Sequence, residues 1–483
     1  MMKEAKAKKS LLPLHVIITI MLMFGFAYLP APEPVTAVGM QMLGIFLGLI
    51  YGWSFSSLLW PSLMGMAALL MTNCVPLKTF LTLSFANESV VFIIFIFIFT
   101  TAIDKEGVTG FLANWCMSRK ILQGHPWRMS LGLLLGAAVT GALANMFAAI
   151  FIFWGIFYEI CKQADIKPYE KYPTLMILGI AISSIIGSCL LPYRSGPIIV
   201  LGAYQSLTGN TVDFLPFMLF VVPLVLLTIL TYLIICRVIF RVDISKLENI
   251  SLDFIDREGL KMTRRQKAIM SFLALFILFA ILPTILPQTW LIVIALKRLG
   301  NIGILIVLLT IMLWLKIEDK PLINVQELAA EGIIWDMVFL FAIIFPLSGL
   351  LMGEETGIKL FMVNALQPLF ASVSPIVFMF GVLLLPTLIT NFANNIVIAM
   401  IFLQIICAFA GTLGINEVPL VMTLLICVNL AFYTPAASAP AAVVFGNTAW
   451  IRPKDIYTTG GLMIILLAVV VISFGIIWGN IIF

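Results

Sequence analysis

The stretch that decides the fold is Gly141-Ala-Leu-Ala-Asn145-Met-Phe-Ala-Ala-Ile-Phe151, which places an asparagine in the middle of the apolar run at 130–160. A second stretch, Asn391-Phe-Ala-Asn-Asn395-Ile-Val-Ile-Ala-Met-Ile401, does the same in the run at 376–410. Both runs exceed the ~20 residues of one membrane span, and both carry polar, helix-unfavourable residues near the centre. We therefore expect two helical hairpins that enter and leave the membrane on one side, with asparagines at their tips.

The two stretches belong to two related halves of the chain. Asn145 aligns with Asn395, and Gly107-Val-Thr-Gly-Phe111 corresponds to Gly357-Ile-Lys-Leu-Phe361 at the same offset of 250 residues. Loop insertions of unequal length would shift one pair relative to the other. The shared offset therefore indicates an internal repeat.

A proline motif follows each hairpin. It reads P-x-x-S-x-P in both halves, as Pro192-Tyr-Arg-Ser-Gly-Pro197 and as Pro435-Ala-Ala-Ser-Ala-Pro440. Proline removes a backbone donor and clashes with the preceding helical turn, so two prolines this close predict an unwound segment within a span. Its freed carbonyls must face protein, an ion or water.

The composition is that of a membrane protein. Of 483 residues, 62% are hydrophobic and only 11% charged, which excludes a soluble enzyme. Further runs long enough to cross about 30 Å of hydrocarbon lie at 11–29, 36–53, 56–73, 84–104, 174–205, 214–236, 268–286, 301–315, 333–352, 418–448 and 460–480. The predicted fold class is an all-α polytopic membrane protein with about 11 transmembrane helices plus two re-entrant hairpins in inverted-topology repeats. We interpret the first run as a retained span rather than a signal peptide.

Positive charge predicts the orientation of these spans. With the N-terminal lysines in the cytoplasm, 23 of the 28 basic residues fall on that side, as the positive-inside rule requires. The basic residues expected outside are Lys78, Lys297, Arg298 and Lys359, and Arg194 lies within a span. The hairpins then open to opposite sides. We expect a multi-pass protein of the plasma membrane with the N-terminus cytoplasmic and the C-terminus outside.

This orientation defines four regions. They are a cytoplasmic tail and first span at 1–35, a first repeat at 36–236, a charged cytoplasmic linker at 237–267 and a second repeat at 268–483. The first repeat contains the cytoplasm-opening hairpin 130–160 and the broken span 174–205. The second contains the outward-opening hairpin 376–410 and the broken span 418–448. Inverted repeats with discontinuous helices are typical of secondary transporters, which bind substrate at the midplane.

Asparagines at the tips have two interpretations. Asn145, Asn394 and Asn395 could bind a ligand, because an amide donates to a carboxylate while its oxygen coordinates a cation, and the helix starting at each tip offers free N–H groups. They could also merely cap that helix. A matched pair in two hairpins favours the ligand.

Arg194 is the most informative single residue, because placing a guanidinium inside a membrane span costs roughly 3 kcal/mol of insertion free energy. Its counterpart in the second half is Ala437. We hypothesise that Arg194 binds an anionic substrate group or supplies the positive charge that a bound Na⁺ would provide. The alternative is a structural ion pair, or snorkelling from a displaced span.

Other chemistry has little support in the sequence. Only His15 and His125 occur, the seven cysteines are scattered without a C-x-x-C, and no G-x-x-x-x-G-K-[ST] loop is present, so metal, triad and ATPase chemistry are disfavoured. Glu88 and Asp336 are interpreted as interfacial charges, and Val325–Glu331 as a short helix lying along the membrane surface. The protein is not expected to be an enzyme.

The two tips and two broken spans resemble the divalent anion/sodium symporter family of the ion-transporter superfamily, over nearly the whole chain. The family's Ser-Asn-Thr signature falls on Ala144-Asn145-Met146 and on Asn394-Asn395-Ile396, where the central asparagines are kept. Its small-residue and Thr-Pro-Pro-like break resembles 191–197 and, more closely, 433–447. The resemblance implies elevator-type motion and a homodimer.

The site residues follow from the tips, the proline motifs and this resemblance. Expected to bind substrate are Asn145, Met146, Arg194, Ser195, Pro197, Asn394, Asn395, Ile396, Ser438 and Pro440. Expected to surround a coupling ion are Ala144, Asn145, Pro192, Asn395, Thr434 and Pro435.

The predicted function is secondary active transport of small organic anions of the di- or tricarboxylate type, with Na⁺ as the candidate coupling ion and no other cofactor. The expected partners are a small anion, the lipid bilayer and a second copy, and no nucleic acid. Because Met146 and Ile396 carry no hydroxyl, a sodium-independent anion exchanger or another antiporter of the superfamily is the alternative. A membrane receptor or enzyme without transport is the alternative from another class.

Overall fold

The computed structural model describes residues 2–122, 124–247, 261–370, 374–435 and 437–483. Within 2–11, at 120 and within 366–370 it describes the backbone only. Part of the predicted linker 237–267, namely 248–260, lies outside the described residues, as does Ala436 of the second proline motif.

Helices account for nearly all regular structure in these ranges. The first half contains α1 (Met2–Gly25), α2 (Ala37–Phe55), α3 (Leu59–Met71), α4 (Leu77–Leu83), α5 (Glu88–Lys105), α6 (Val108–Met117), α7 (Pro126–Leu143), α8 (Met146–Gln163), α9 (Lys171–Gly187), α10 (Ser195–Thr208) and α11 (Phe214–Val238). The second half contains α12 (Arg264–Ile285), α13 (Leu291–Trp314), α14 (Val325–Gly332), α15 (Trp335–Leu351), α16 (Ile358–Phe370), α17 (Pro375–Ile389), α18 (Asn395–Phe409), α19 (Glu417–Val428), α20 (Ala439–Gly446), α21 (Pro453–Asp455) and α22 (Gly461–Ile482). A two-residue antiparallel ribbon, β1 (Lys316–Ile317) with β2 (Lys320–Pro321), joins α13 to α14.

The all-α polytopic membrane fold is confirmed, whereas the number of spans is not. Among the described residues, seven helices are long and apolar enough to cross a membrane, or up to nine if the bent pairs α4 with α5 and α14 with α15 each form one span. The remaining apolar helices, such as α3 and α9, are shorter. The predicted eleven spans and the re-entrant course of the hairpins stay predictions.

The run predicted at 301–315 is part of a longer helix. α13 begins at Leu291 and includes the charged pair Lys297 and Arg298, which interrupted the apolar run in the sequence. Gly300 inside it has φ 59° and ψ −179°, a conformation that glycine adopts without a Cβ clash, and the helix is kinked there.

The second half repeats the element order of the first. α6 and α16 each follow a glycine in the left-handed region, Gly107 at φ 71° and Gly357 at φ 67°, and they start 250 residues apart. A helix pair follows in each half, α7–α8 and α17–α18. A broken helix comes next, interrupted at 188–194 in the first half (the first break) and at 429–438 in the second half (the second break). A long helix, α11 or α22, ends the series.

The broken helices and the helix pairs pack together as one group. α7 lies against α9, α10 against α18, α20 against α9, and α22 against both α11 and α19. A second group consists of α1–α5 with α12–α15, in which α5 packs on α13 and α14. The two groups meet chiefly at α10, which packs against α15 as well as against α18 and also touches α5, and they meet again where α11 contacts α12 and α18 contacts α2.

Two glycines permit the close approach of α7 and α9. A Cβ on Gly187 would lie 2.3 Å from the carbonyl oxygen of Ala138, and one on Gly141 would lie 2.5 Å from that of Ser184. Both helices are buried along most of their length. This backbone contact fixes the first helix pair against the first broken helix.

Candidate functional site

The first tip is a two-residue turn between α7 and α8. Asn145 is the N-cap of α8, and its side-chain oxygen accepts hydrogen bonds from the backbone N–H groups of Phe147 (2.9 Å) and Ala148 (3.2 Å). Such a cap satisfies donors that a helix start leaves free. The capping interpretation of Asn145 is therefore realised, and its exposed side chain remains accessible beside the helix start.

Arg194 joins the first break to this tip. It is the N-cap residue of α10, and its Nη2 donates to the carbonyl oxygen of Ala144 at 2.6 Å. A guanidinium on a freed tip carbonyl occupies the kind of position that a bound cation would take. Ala144 itself is fully buried, so the contact is inside the protein.

Asp104 lies at the same tip, in the last turn of α5. Its carboxylate lies near the backbone N–H and the side-chain amide of Asn145 and attracts Arg194 electrostatically, without a direct salt bridge between Asp104 and Arg194. The Thr109 hydroxyl donates to it at 3.4 Å. Sequence analysis missed Asp104, because beside Lys105 and Glu106 it has the pattern of an ordinary membrane-edge charge. Its position three residues before Gly107, the turn into α6, was the available signal.

The second tip, the turn between α17 and α18, carries a different set of polar groups. Asn394 is the N-cap of α18 and accepts from the N–H groups of Ile396 (2.9 Å) and Val397 (3.4 Å). By this capping role Asn394 corresponds to Asn145, one residue before the position that sequence alignment pairs with it. Asn395 instead donates from Nδ2 to Oδ1 of Asn429 at 3.2 Å.

Asn391 attaches the second tip to the second break. Its side-chain oxygen accepts from the N–H groups of Phe432 (3.0 Å) and Tyr433 (2.8 Å), and its Nδ2 donates to the carbonyl of Thr387 at 2.7 Å. The Thr434 hydroxyl donates to the Asn391 carbonyl at 2.5 Å. The freed backbone of the break is thus paired by one buried amide, which sequence analysis did not select as a site residue.

The two breaks also touch each other. Nδ2 of Asn429 lies 3.5 Å from Sγ of Cys189 and donates to the carbonyl of Leu425 at 2.7 Å. Cys189 belongs to the first break and Asn429 to the second. The two tips and the two breaks therefore form one connected polar cluster within the apolar interior.

The remaining predicted site residues lie around this cluster. Ser438 caps α20, accepting from the N–H of Ala441 at 3.1 Å and donating to Ala431 O at 2.8 Å. Met146 is half-buried and directly follows the cap Asn145, whereas the half-buried Ile396 is the second residue after the cap Asn394. Ser195 and Pro197 start α10, Pro435 lies in the second break, and Pro440 is buried in α20.

A cavity of about 590 Å³ adjoins the first break. Pro192 and Tyr193 line it together with residues of α5, α10, α12 and α13, including Glu88 and Lys297. The hydroxyl of Tyr193 is buried and has no hydrogen-bond partner within the described part of the chain. The cavity lies where the two helix groups meet, and its lining residue Tyr193 directly precedes Arg194 in the chain.

No group of three or more His, Cys, Asp or Glu side chains that could hold a metal ion occurs in the ranges that the structure describes. Apart from the Asp104 carboxylate, the oxygens at the tips belong to amides, hydroxyls and backbone carbonyls.

A mostly apolar helical chain whose two halves each set a capped helix start against a broken helix has the architecture of a membrane transporter. The family model of the citrate transporters (CitMHS) matches residues 46–427, and the chain belongs to this family. The resemblance to divalent anion/sodium symporters is thereby confirmed, and the protein is a multi-pass membrane transporter.

Two carboxylate transporters are similar to this chain at low sequence identity. The sodium-dependent dicarboxylate transporter SdcS of Staphylococcus saprophyticus is 25% identical over 361 residues, which are 71% of this chain and 68% of that protein. The Na⁺/citrate cotransporter of Rattus norvegicus is 28% identical over 165 residues, 34% of this chain and 28% of its own length.

Two solved structures share the fold. The crystal structure of the YdaH transporter of Alcanivorax borkumensis aligns with a TM-score of 0.58 and 13% identity, covering 97% of this chain and 98% of that one. MtrF of Neisseria gonorrhoeae, from a class of antimetabolite efflux pumps, aligns with a TM-score of 0.53 and 13% identity, over 97% and 94%.

Proposed function

We propose that this protein is a secondary active transporter of small di- or tricarboxylate anions, coupled to Na⁺, with the substrate bound between the two tips. The observation that carries the proposal is the connected cluster of two tips and two breaks, which includes the guanidinium of Arg194. The names of relatives that carry dicarboxylates and citrate support the substrate class.

An anion finds two attractions at the first tip. The start of α8 presents partial positive charge from its free N–H groups, and Asn145 stands exposed beside it. Arg194 uses Nη2 for the Ala144 carbonyl, so its other N–H groups remain for a carboxylate. Each of the two substrate carboxylates would then face one tip.

The second tip lacks a cation of its own, because the chain has no Lys, Arg or His between Lys359 and Arg452. The groups gathered there are oxygen donors, among them the Asn395 amide, the Thr434 hydroxyl and the Asn391 carbonyl. Hard oxygen ligands suit Na⁺. A Na⁺ ion at this tip would match Arg194 at the other, so that a dianion meets positive charge at both ends.

The alternative is a sodium-independent anion exchanger, in which Arg194 is the only cation of the site. The observation that favours it is that Met146 and Ile396, in the first turns of α8 and α18, carry no hydroxyl.

Alternating access would move one helix group against the other. We propose that α7–α11 and α17–α22 move as an elevator, carrying both tips past α1–α5 and α12–α15. The packing of helices into these two groups supports this division. The hairpins are proposed to open to opposite sides of the cell membrane, with the N-terminus cytoplasmic and the C-terminus outside. The apolar, little-buried faces of α12 and α13 suit lipid or the second copy of a homodimer.

Uptake by proteoliposomes tests this proposal. Labelled succinate, citrate, malate and sulfate are offered with and without an inward Na⁺ gradient, and with or without unlabelled anion inside. We expect Na⁺-driven accumulation of a carboxylate. Thr434→Val removes a site hydroxyl at almost unchanged volume. In this variant the Na⁺ concentration for half-maximal uptake should rise about tenfold, which corresponds to a loss of roughly 1.4 kcal/mol of Na⁺ binding free energy.

Thr412→Val, at an exposed position outside the cluster, is the matched control and should transport like the parent protein. Uptake that needs only preloaded anion, at any Na⁺ concentration, would replace the symporter by the exchanger. Binding of a carboxylate without either accumulation or exchange would contradict transport of that anion altogether.

A further inference from the structure

One peptide group at the first tip lies between two side chains of opposite charge. Arg194 donates to the carbonyl oxygen of Ala144 at 2.6 Å, and the carboxylate of Asp104 lies near the N–H of Asn145. These two atoms belong to the same peptide unit, between residues 144 and 145. A peptide dipole is negative at its oxygen and positive at its hydrogen, so the two side chains stabilise the orientation of this unit together.

Asp104 also occupies the place where an anion would bind at the start of α8. The Thr109 hydroxyl donates to its carboxylate at 3.4 Å, and the N–H and the amide of Asn145 lie near it at the N-terminus of α8, within the field of Arg194. Partial positive charge at a helix start attracts any carboxylate. Asp104 therefore takes up the attraction that a substrate carboxylate would use.

The pair occurs in one half only. At the repeat offset of 250 residues, Asp104 corresponds to Glu354, which is exposed. Arg194 corresponds to the buried Ala437 in the proline motif. The second half therefore keeps an acidic residue, which is exposed, but has no counterpart of Arg194, so the charge pair is present in the first half only.

Asp104 is held in place by the helix group opposite to the tip. Lys105 forms salt bridges with Glu327 and Glu331 of α14, and Glu106 accepts from Arg265 of α12 at 2.9 Å. These contacts anchor the end of α5 on both sides. Asp104 reaches the tip from this anchored end, while Arg194 belongs to the group of broken helices.

We propose that Asp104 is the resident counter-ion of Arg194 in the empty carrier, and that a substrate carboxylate displaces it on binding. The inference rests on the proposed function. Two carboxylates repel each other and compete for one guanidinium and one helix start, so the substrate must overcome the Asp104 interaction. The contact also ties the empty tip to α5, which slows the movement of the unloaded carrier and favours exchange over net uptake.

The test compares Asp104→Asn with the parent protein in two assays. Calorimetric titration of purified protein with succinate or citrate should give a Kd at least about threefold lower in Asp104→Asn. Proteoliposome assays should give a higher ratio of net uptake into anion-free vesicles to exchange against preloaded anion. Glu354→Gln removes the same charge at the exposed counterpart of Asp104 in the second half, away from the first tip, and should leave both the Kd and this ratio unchanged.

An equal or weaker affinity in Asp104→Asn with an unchanged flux ratio would overturn the inference, since Asp104 would then only support the tip. If Asp104→Asn does not fold, Thr109→Val loosens the hold on Asp104 and should lower the Kd in the same direction; an unchanged Kd there would equally overturn it. A parent protein that neither binds nor exchanges any of the anions would contradict the proposed function, and the inference would fall with it.

Discussion

Asn391 holds the second tip to the second break through two hydrogen bonds that its side-chain oxygen accepts, while its Nδ2 donates to Thr387 of α17. Asn391→Ala leaves the N–H groups of Phe432 and Tyr433 without their acceptor, and an unsatisfied buried polar group costs about 1–3 kcal/mol. We expect a loss of roughly 2–4 kcal/mol in the free energy of unfolding, measured as a lower Tm in detergent.

Asn480→Ala serves as the matched control, because Asn480 is exposed near the end of α22. Its Tm should stay within the scatter of the parent protein. Equal Tm values for the two variants would mean that the break is held without Asn391.

Sequence analysis selected those members of the polar cluster whose signal is local. An asparagine in an apolar run or an arginine within a span stands out by itself, so Asn145, Asn395 and Arg194 could be found. Asp104 and Asn429 could not, because their importance lies in partners distant in the chain, such as Asn145 and Asn395. A carboxylate beside Lys105 has the same local pattern whether it faces water or a helix tip.

At the scale of elements, the contact between α7 and α9 depends on two missing side chains. Gly187→Ala would place a Cβ 2.3 Å from the carbonyl oxygen of Ala138, on backbone that cannot rotate away. The helices would have to separate, and we expect the overpacking cost of about 1–3 kcal/mol and a lower yield of folded protein. Thermal melting and size-exclusion profiles in detergent measure both.

Gly155→Ala on α8 provides the comparison, because nothing lies within 4 Å of its added Cβ. Both changes raise helix propensity by up to about 1 kcal/mol, so only the packing differs. A stabilised Gly187→Ala protein would show that α7 and α9 are free to move apart.

Helices were predicted well where the apolar pattern coincides with the helix, as in α11, α12 and α22. They were predicted poorly where a helix continues beyond the hydrocarbon. α13 begins at Leu291, ten residues before the predicted run, since Lys297 and Arg298 lower the local hydropathy without stopping the backbone hydrogen bonds. The prolines of the two motifs gave the breaks in α9–α10 and α19–α20, because proline acts on the backbone directly.

At the scale of the whole molecule, the proposed inverted repeats predict opposite sides for the open ends of the two hairpins. Gln163→Cys, at the end of α8, and Thr412→Cys, after α18, place exposed thiols there. With the half-buried Cys74, Cys116 and Cys407 replaced by alanine, an impermeant maleimide should label Thr412→Cys in intact cells and Gln163→Cys only after permeabilisation.

The four remaining cysteines are buried, and the same background without an added thiol gives the blank. Labelling of both positions in intact cells, or of neither, would contradict the opposed hairpins and the charge-based orientation.

The opposite charges on the 144–145 peptide have an electrical consequence. As long as Asp104 and Arg194 stay together, they form a neutral unit. When the proposed elevator carries Arg194 away from the anchored end of α5, a separated positive charge travels with the tip. Moving one elementary charge across the full membrane potential is worth about 2.3 kcal/mol per 100 mV. A substrate carboxylate that travels with Arg194 cancels this charge. The membrane potential would therefore slow or drive the movement of the empty carrier, but it would not act on the paired Arg194 of the loaded carrier.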